Sequence, residues 1–200
     1  MYCDFPVMAI GQNTFKSTAG PGINNHYLKI QSDYIENLVR EIEFTRKIIA
    51  GAARPRIETV YIGGGTPSTL SAENFLKLST ALGQNFDLED IQEFTIEVEP
   101  DSITTEKLDL YTANRINRVS MGIQSFNPKT LELLGRSSSL AHIETALSTL
   151  ARHPSFYQNG QFTNVTFDLL LGNPNESFSD FQDSVHRLLA LSPTHLSAYF

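Results

Sequence analysis

The sequence predicts an α/β protein built on parallel strands. Two observations carry this. Short apolar runs alternate along the chain with stretches whose apolar residues recur at helical spacing, and turn or capping residues stand at the boundaries between them. Repeated strand–helix units imply parallel strands joined by right-handed crossovers. About five strands can be read, too few to close an ordinary eight-stranded barrel. An open parallel sheet or part of a barrel remain as alternatives, and in both the ligand sits at the carboxyl ends of the strands.

Residues 6–29 are rich in Gly, Asn and Pro and read as a long loop, of the kind that is functional or mobile. Ile35, Leu38, Val39, Ile42 and Ile49 predict an amphipathic helix over 32–50. Residues 57–62 form a strand that runs into Gly63-Gly64-Gly65-Thr66-Pro67-Ser68. Ser71 caps the next helix, which carries Phe75, Leu78 and Leu82 on one face. A strand over 93–98, a helix near 104–113 bearing Leu108 and Tyr111, and a strand over 118–123 follow. Asn127-Pro128 is a cap followed by proline at the first helical position, opening a short helix with Leu131 and Leu134. Ser139 starts a longer helix with Ile143, Ala146, Leu147 and Leu150. A strand over 164–171 ends at Gly172-Asn173-Pro174. Ser177 and Asp180 resemble a capping box for a helix lined by Phe178, Phe181, Val185, Leu188 and Leu189, and 195–200 is the last strand.

Composition narrows the function. Of the 200 residues 40% are hydrophobic, enough for a packed core. A net charge of −7 argues against general affinity for nucleic acid or an anionic membrane surface. No apolar run is long enough to span a bilayer, and no secretion leader opens the chain. With a single cysteine, Cys3, there is no intrachain disulfide, and a cytosolic location is expected. The chain begins abruptly and stops inside an apolar run, so residues are expected to be missing at both ends.

The residues that could carry chemistry gather at the ends of the predicted strands: Gly63 to Thr66, then Glu97 and Glu99, then Gln124 and Ser125, with Asp168 inside the fourth strand. Convergence on one mouth says more than any single motif. The glycines permit close backbone approach and offer N–H groups to a carboxylate or phosphate, although taken alone they read first as a tight strand-to-helix turn. They match neither the dinucleotide fingerprint nor the phosphate loop. Glu97 suits a cationic amine or a proton-transfer role as well as it suits a solvated edge; Glu99 reads as a solvated edge charge. Asp168 lies among apolar residues and needs a partner, either Arg118 or Arg136 or a ligand group. The five histidines show no metal-ligand spacing. His142, His153 and His186 read as helix-surface residues and His195 as structural.

Together, Tyr2-Cys3-Asp4-Phe5-Pro6, Tyr34-Ile35-Glu36, Ile62-Gly63-Gly64-Gly65-Thr66-Pro67-Ser68, Ile96-Glu97-Val98-Glu99-Pro100, Asn117 to Phe126, Leu134-Gly135-Arg136 and Phe167 to Pro174 resemble the radical S-adenosylmethionine (SAM) family. The resemblance is to its oxygen-independent coproporphyrinogen III oxidase group, which includes a dehydrogenase branch and a heme chaperone branch. It implies a partial (β/α)6 barrel as one core domain over 1–200. Residues 1–29 would be the remnant of the cluster loop and the loop after it, and 30–200 the barrel units.

It also implies a [4Fe–4S] cluster on three cysteines spaced Cys-x-x-x-Cys-x-x-Cys. The open iron would take the amino and carboxylate groups of SAM, which is then split to a 5′-deoxyadenosyl radical. By position, Cys3 resembles the third cluster ligand and Tyr2 the aromatic before it. Gly64, Gly65, Thr66, Glu97, Gln124, Arg136 and Asp168 resemble SAM-contacting positions.

The first two cluster cysteines are absent, so these residues are expected to lack radical chemistry. Ser137-Ser138-Ser139 stands where many relatives carry a histidine. Phe5 stands where the dehydrogenase branch has a further cysteine, so the pattern looks like the heme chaperone branch. That branch implies heme as a ligand and heme-acceptor proteins as partners. The other branch would take coproporphyrinogen III and decarboxylate its propionates oxidatively.

Overall fold

The computed structural model describes the backbone of residues 21–173 and 175–200. In chain order the elements are α1 (Pro21–Ala50), β1 (Thr59–Ile62), α2 (Ala72–Asn85), β2 (Glu93–Val98), α3 (Thr105–Ala113), β3 (Arg118–Gln124), α4 (Pro128–Leu133), α5 (Leu140–Arg152), β4 (Tyr157–Gln158), β5 (Gln161–Phe162), β6 (Val165–Leu170), α6 (Phe178–Ala190) and β7 (His195–Tyr199). Short 3-10 turns cover Pro67–Thr69 and Pro100–Ser102. The main sheet has the order β1-β2-β3-β6-β7, with β2–β3, β3–β6 and β6–β7 all parallel. The expected α/β class with five sheet strands and crossover helices is therefore present.

By internal contacts the chain forms two compact units. In the unit that holds Ile62–Ser68 and Thr95–Phe200, the sheet separates two kinds of side chain by simple alternation along each strand. Ile96, Val98, Val119, Met121, Ile123, Val165, Phe167 and Leu169 lie on one face and are buried. The other face carries Thr95, Glu97, Arg118, Ser120, Gly122, Thr166, Asp168 and Ser197, all placed by the register of the parallel pairs. Parallel strands covered on both faces read as continuous apolar runs; here one face is largely polar, with Leu170 and Tyr199 as its apolar members at the ends of β6 and β7. Asp168 is therefore not a charge among hydrophobes but one member of a polar row.

Helix signals in the sequence are met by side-chain caps. Asn127 accepts from the Lys129 and Thr130 amides, and Ser139 and Ser177 each complete a capping box, with His142 and Asp180 respectively. In α5, Ile143, Ala146, Leu147 and Leu150 form the buried stripe the spacing predicts. In α6 the stripe is narrower than expected. Ser184 and Leu188 are buried, whereas Phe178 and Leu189 are exposed.

The other unit holds the described residues of Val7–Tyr61 together with Thr69–Phe94. Here the loop expected over 21–29 is helical; residues 6–20 lie outside the described part. Propensity is overridden by tertiary hydrogen bonds from one face of α1. Gln31 Nε2 donates to the Tyr27 hydroxyl at 2.9 Å and to the Thr69 carbonyl at 3.1 Å. Gln31 Oε1 accepts from the Ser71 amide at 2.7 Å and from Asn74 Nδ2 at 3.0 Å. Ser71 caps α2 as expected.

His153 is also corrected. It is a buried C-cap of α5 rather than a surface residue, with Nε2 3.3 Å from Asp109 and its ring against Phe156. No helix among the described residues is long and apolar enough to cross a membrane.

Candidate ligand site at the strand ends

The polar face of the sheet ends at the carboxyl termini of β2, β3 and β6, and the candidate residues gather there. Gly64 and Gly65, after β1, both have positive φ, 83° and 61°. Such a backbone is open to glycine at no steric cost. Both are exposed, and nothing lies within 4 Å of where a Cβ on Gly64 would stand. The Gly64 amide donates to Glu97 Oε2 at 2.9 Å, which ties the loop to the end of β2. Ser68 closes the loop from its other side, accepting from the Glu99 amide at 3.0 Å and bonding Ser102 Oγ at 2.6 Å. Lys107 Nζ donates to the Ser68 carbonyl at 2.5 Å. Burial lowers the Lys107 ammonium from its usual range, and Asp101 opposes this.

A bulge between Gly122 and Gln124 shifts the β3–β6 register, and Gln124 itself has φ 66°. A non-glycine residue in that region is uncommon and persists where its surroundings hold it. The segment after it is pinned to the entry of α6: Ser125 Oγ donates to Glu176 at 3.0 Å, the Phe126 amide to Ser184 Oγ at 3.1 Å, and Asn127 Nδ2 to Asp180 at 2.9 Å. The Gln124 amide then folds back over Gly122.

A Cβ on Gly122 would stand 2.8 Å from Gln124 Nε2 and 3.4 Å from an Arg136 nitrogen. Gly122→Ala is thus expected to leave the fold intact at a cost of about 1–3 kcal/mol, the scale of overpacking one methyl, with the Gln124 side-chain amide giving way first. It is also expected to expel the Gln124 amide from its seat. Heteronuclear NMR of the glutamine side-chain amides checks this; an unmoved Gln124 signal would refute the packing.

Arg136 lies in the loop after α4. Its guanidinium donates to the Gly122 carbonyl at 2.6 Å and pairs with Glu99 Oε2. The reading of Glu99 as a solvated edge charge is overturned. Its side chain is 21% exposed and that of Arg136 9%. Burial raises the Glu99 carboxyl to about 7; Arg136 pulls it down, and Asp101 and Asp168 push it up. Asp168, paired in register with Gly122, has neither expected arginine as a hydrogen-bond partner. The hydroxyls of Ser120, at 3.2 Å, and Ser197 serve instead. Burial raises its carboxyl, with those hydroxyls and Arg118 opposing and Glu97 adding to the rise.

The structure thus brings Gly64, Glu97, Gln124, Arg136 and Asp168 to one edge of the sheet, and adds Glu99, Gly122, Ser120 and Ser197. Gly65 and half-buried Thr66 follow on the glycine loop. Tyr2 and Cys3 lie outside the described residues. Among the described residues no cluster of His, Cys, Asp and Glu could hold a metal ion. The open glycine loop and the carboxylates fit a ligand bearing a cationic amine and hydroxyls, as SAM does. A [4Fe–4S] cluster needs several thiolates, and the 200 residues contain one cysteine, so they do not fit the cluster by themselves.

The heme chaperone HemW of Lactococcus lactis is 31% identical over 166 residues, covering 83% of this chain and 40% of the relative. The oxygen-independent coproporphyrinogen III oxidase of Bradyrhizobium diazoefficiens is 28% identical, covering 83% and 35%. The solved structure of coproporphyrinogen III oxidase (HemN) from Escherichia coli, described as a radical SAM enzyme, superposes with a TM-score of 0.73 at 30% identity, covering 86% of this chain and 37% of that one. The chain spans less than half the length of these relatives. A model of the radical SAM superfamily matches residues 1–188, and the chain belongs to that superfamily.

Proposed function

We propose that this chain is the SAM-binding core of a HemW-like protein that binds heme and passes it to acceptor proteins. One observation supports the SAM part above the others: two carboxylates, Glu97 on β2 and Asp168 on β6, stand on the polar face of the sheet beside a glycine loop whose backbone is open. That charge suits SAM, whose ammonium and sulfonium outweigh its single carboxylate. Glu97 and Asp168 would meet the amine and hydroxyl groups, Gly64 to Thr66 would allow close approach, and Gln124 and Arg136 would orient the polar end. The HemW part rests on Phe5, where the dehydrogenase branch has cysteine, and on HemW among the most similar relatives.

When bound, the cluster supplies the electron that reductively cleaves SAM. With Cys3 as the single cysteine, these 200 residues would bind SAM without cleaving it. The second reading, an oxygen-independent coproporphyrinogen III dehydrogenase, is favoured by the HemN likeness.

The test is made anaerobically after iron and sulfide reconstitution. The chain is expected to bind SAM, to take up fewer than the about four irons of a [4Fe–4S] centre, and to titrate with heme, which is the part of the test that bears on the HemW reading. Conversion of coproporphyrinogen III would favour the dehydrogenase. Four irons per chain would overturn the inactivity, and no SAM binding would overturn the site.

A further inference from the structure

We propose that Glu99 is a positioning residue that aims the Arg136 guanidinium at the ligand mouth. The inference rests on the reading of Arg136 as a SAM-binding residue. Three features of the structure carry it.

First, one guanidinium nitrogen of Arg136, Nη2, donates both to the Gly122 carbonyl on β3 and to the Glu99 carboxylate after β2, so the end of the side chain is seated between two strands. An arginine side chain loses much rotamer freedom when it is ordered. Holding it before the ligand arrives removes that cost from binding.

Second, Glu99 is anchored through its own backbone. Its amide donates to Ser68 Oγ and its carbonyl accepts from Ser102 at 2.8 Å. One residue thus links the glycine loop, through its main chain, to the arginine, through its side chain. The loops themselves are clasped separately by Ser137 Oγ donating to Asp101 Oδ2 at 2.7 Å. That contact does not involve Arg136 and provides a control.

Third, such a buried carboxylate is costly, and a merely structural role would be met as well by an apolar residue. The charged groups acting on Glu99 are Arg136 from the loop after α4, Asp101 from the Pro100–Ser102 turn, and Asp168 from β6. Two of the three are acidic and favour its protonated form. Only Arg136 keeps it ionised, so the pair loosens when Glu99 takes a proton as pH falls through about 7.

Equilibrium binding of SAM, measured calorimetrically between pH 6 and 8.5 under anaerobic conditions, tests this. Glu99→Ala and Arg136→Ala are each expected to weaken SAM about tenfold at pH 8, the scale of one charge-assisted contact. Isosteric Glu99→Gln keeps the packing if the alanine variant folds poorly. It is expected to bind about threefold more weakly, as a neutral acceptor of the same hydrogen bond would, and to lack the inflection near pH 7 that the unsubstituted chain shows. Ser137→Ala is expected to bind as the unsubstituted chain does.

If Arg136→Ala weakens SAM while both Glu99 variants bind normally, the positioning role is wrong and the SAM reading stands. If Ser137→Ala loses as much as Glu99→Ala, the loop clasp rather than the arginine is responsible, and the inference falls. If Arg136→Ala has no effect, or the unsubstituted chain does not bind SAM, the underlying reading fails and takes the inference with it.

Discussion

Replacing Glu97 with alanine is expected to weaken SAM binding about 100-fold, and replacing it with glutamine about tenfold. The two variants separate two jobs of one side chain. Glu97 Oε2 accepts the Gly64 amide at 2.9 Å, which sets the glycine loop against the end of β2. A glutamine carbonyl can accept the same bond, so Glu97→Gln removes the charge proposed to meet the cationic ligand and leaves the loop in place. Alanine removes both, and a loop with two consecutive left-handed glycines has little of its own to hold it. Isothermal titration with SAM and with uncharged 5′-methylthioadenosine distinguishes them. Glu97→Gln should lose affinity only for SAM, Glu97→Ala for both. Equal losses with both ligands in Glu97→Gln would mean that charge is not what Glu97 supplies.

Much of this was legible in the sequence, because the signals were local. Ser71, Asn127, Ser139 and Ser177 are short polar residues placed just before apolar helical periods, and each caps its helix. Glu97 and Asp168 stand out because they interrupt or end apolar strands.

Other features depend on residues far apart in sequence. Glu99 looked like an edge charge because its partner, Arg136, is 37 residues away. Gly122 reads as an ordinary strand glycine until the Gln124 amide and the Arg136 guanidinium are seen to occupy its missing side chain's space. The helix over 21–29 is held by bonds from Tyr27 and Gln31 to residues about 40 positions on, against an Asn- and Gly-rich local composition.

Two further signals lie in the sequence. Asn159-Gly160 is a two-residue hairpin turn, and both residues have positive φ between β4 and β5. The alternation Thr95-x-Glu97, Arg118-x-Ser120-x-Gly122 and Thr166-x-Asp168 marks a polar strand face. Aligned at the strand ends, it marks Ser120 as a companion of Asp168.

Asp168→Asn is expected to move stability and binding in opposite directions. Burial raises the Asp168 carboxyl above its usual range, and Glu97 adds to this. The folded chain therefore holds this proton over a pH range in which the unfolded chain has released it. In that window the folded state binds more protons, so stability falls as pH rises from the ordinary carboxylate range through the raised folded value, and then levels off. Once ionised, Asp168 is thus a net cost to the fold, only partly offset by the Ser120 and Ser197 hydroxyls. Asparagine can accept from the same hydroxyls without the charge. It should stabilise the chain by roughly 0.5–2 kcal/mol, the common range for a single stabilising substitution, and flatten this part of the pH–stability curve. The same change removes an anion from the ligand mouth and should weaken SAM about tenfold or more. Urea unfolding at pH 4 and pH 7.5, together with SAM titration of both proteins, tests the pair of expectations. A variant less stable than the parent at pH 7.5 would show that the polar face stabilises the ionised Asp168, and the residue would then be structural. A variant that is more stable and binds SAM as well as the parent would remove Asp168 from the site while leaving the argument from burial intact.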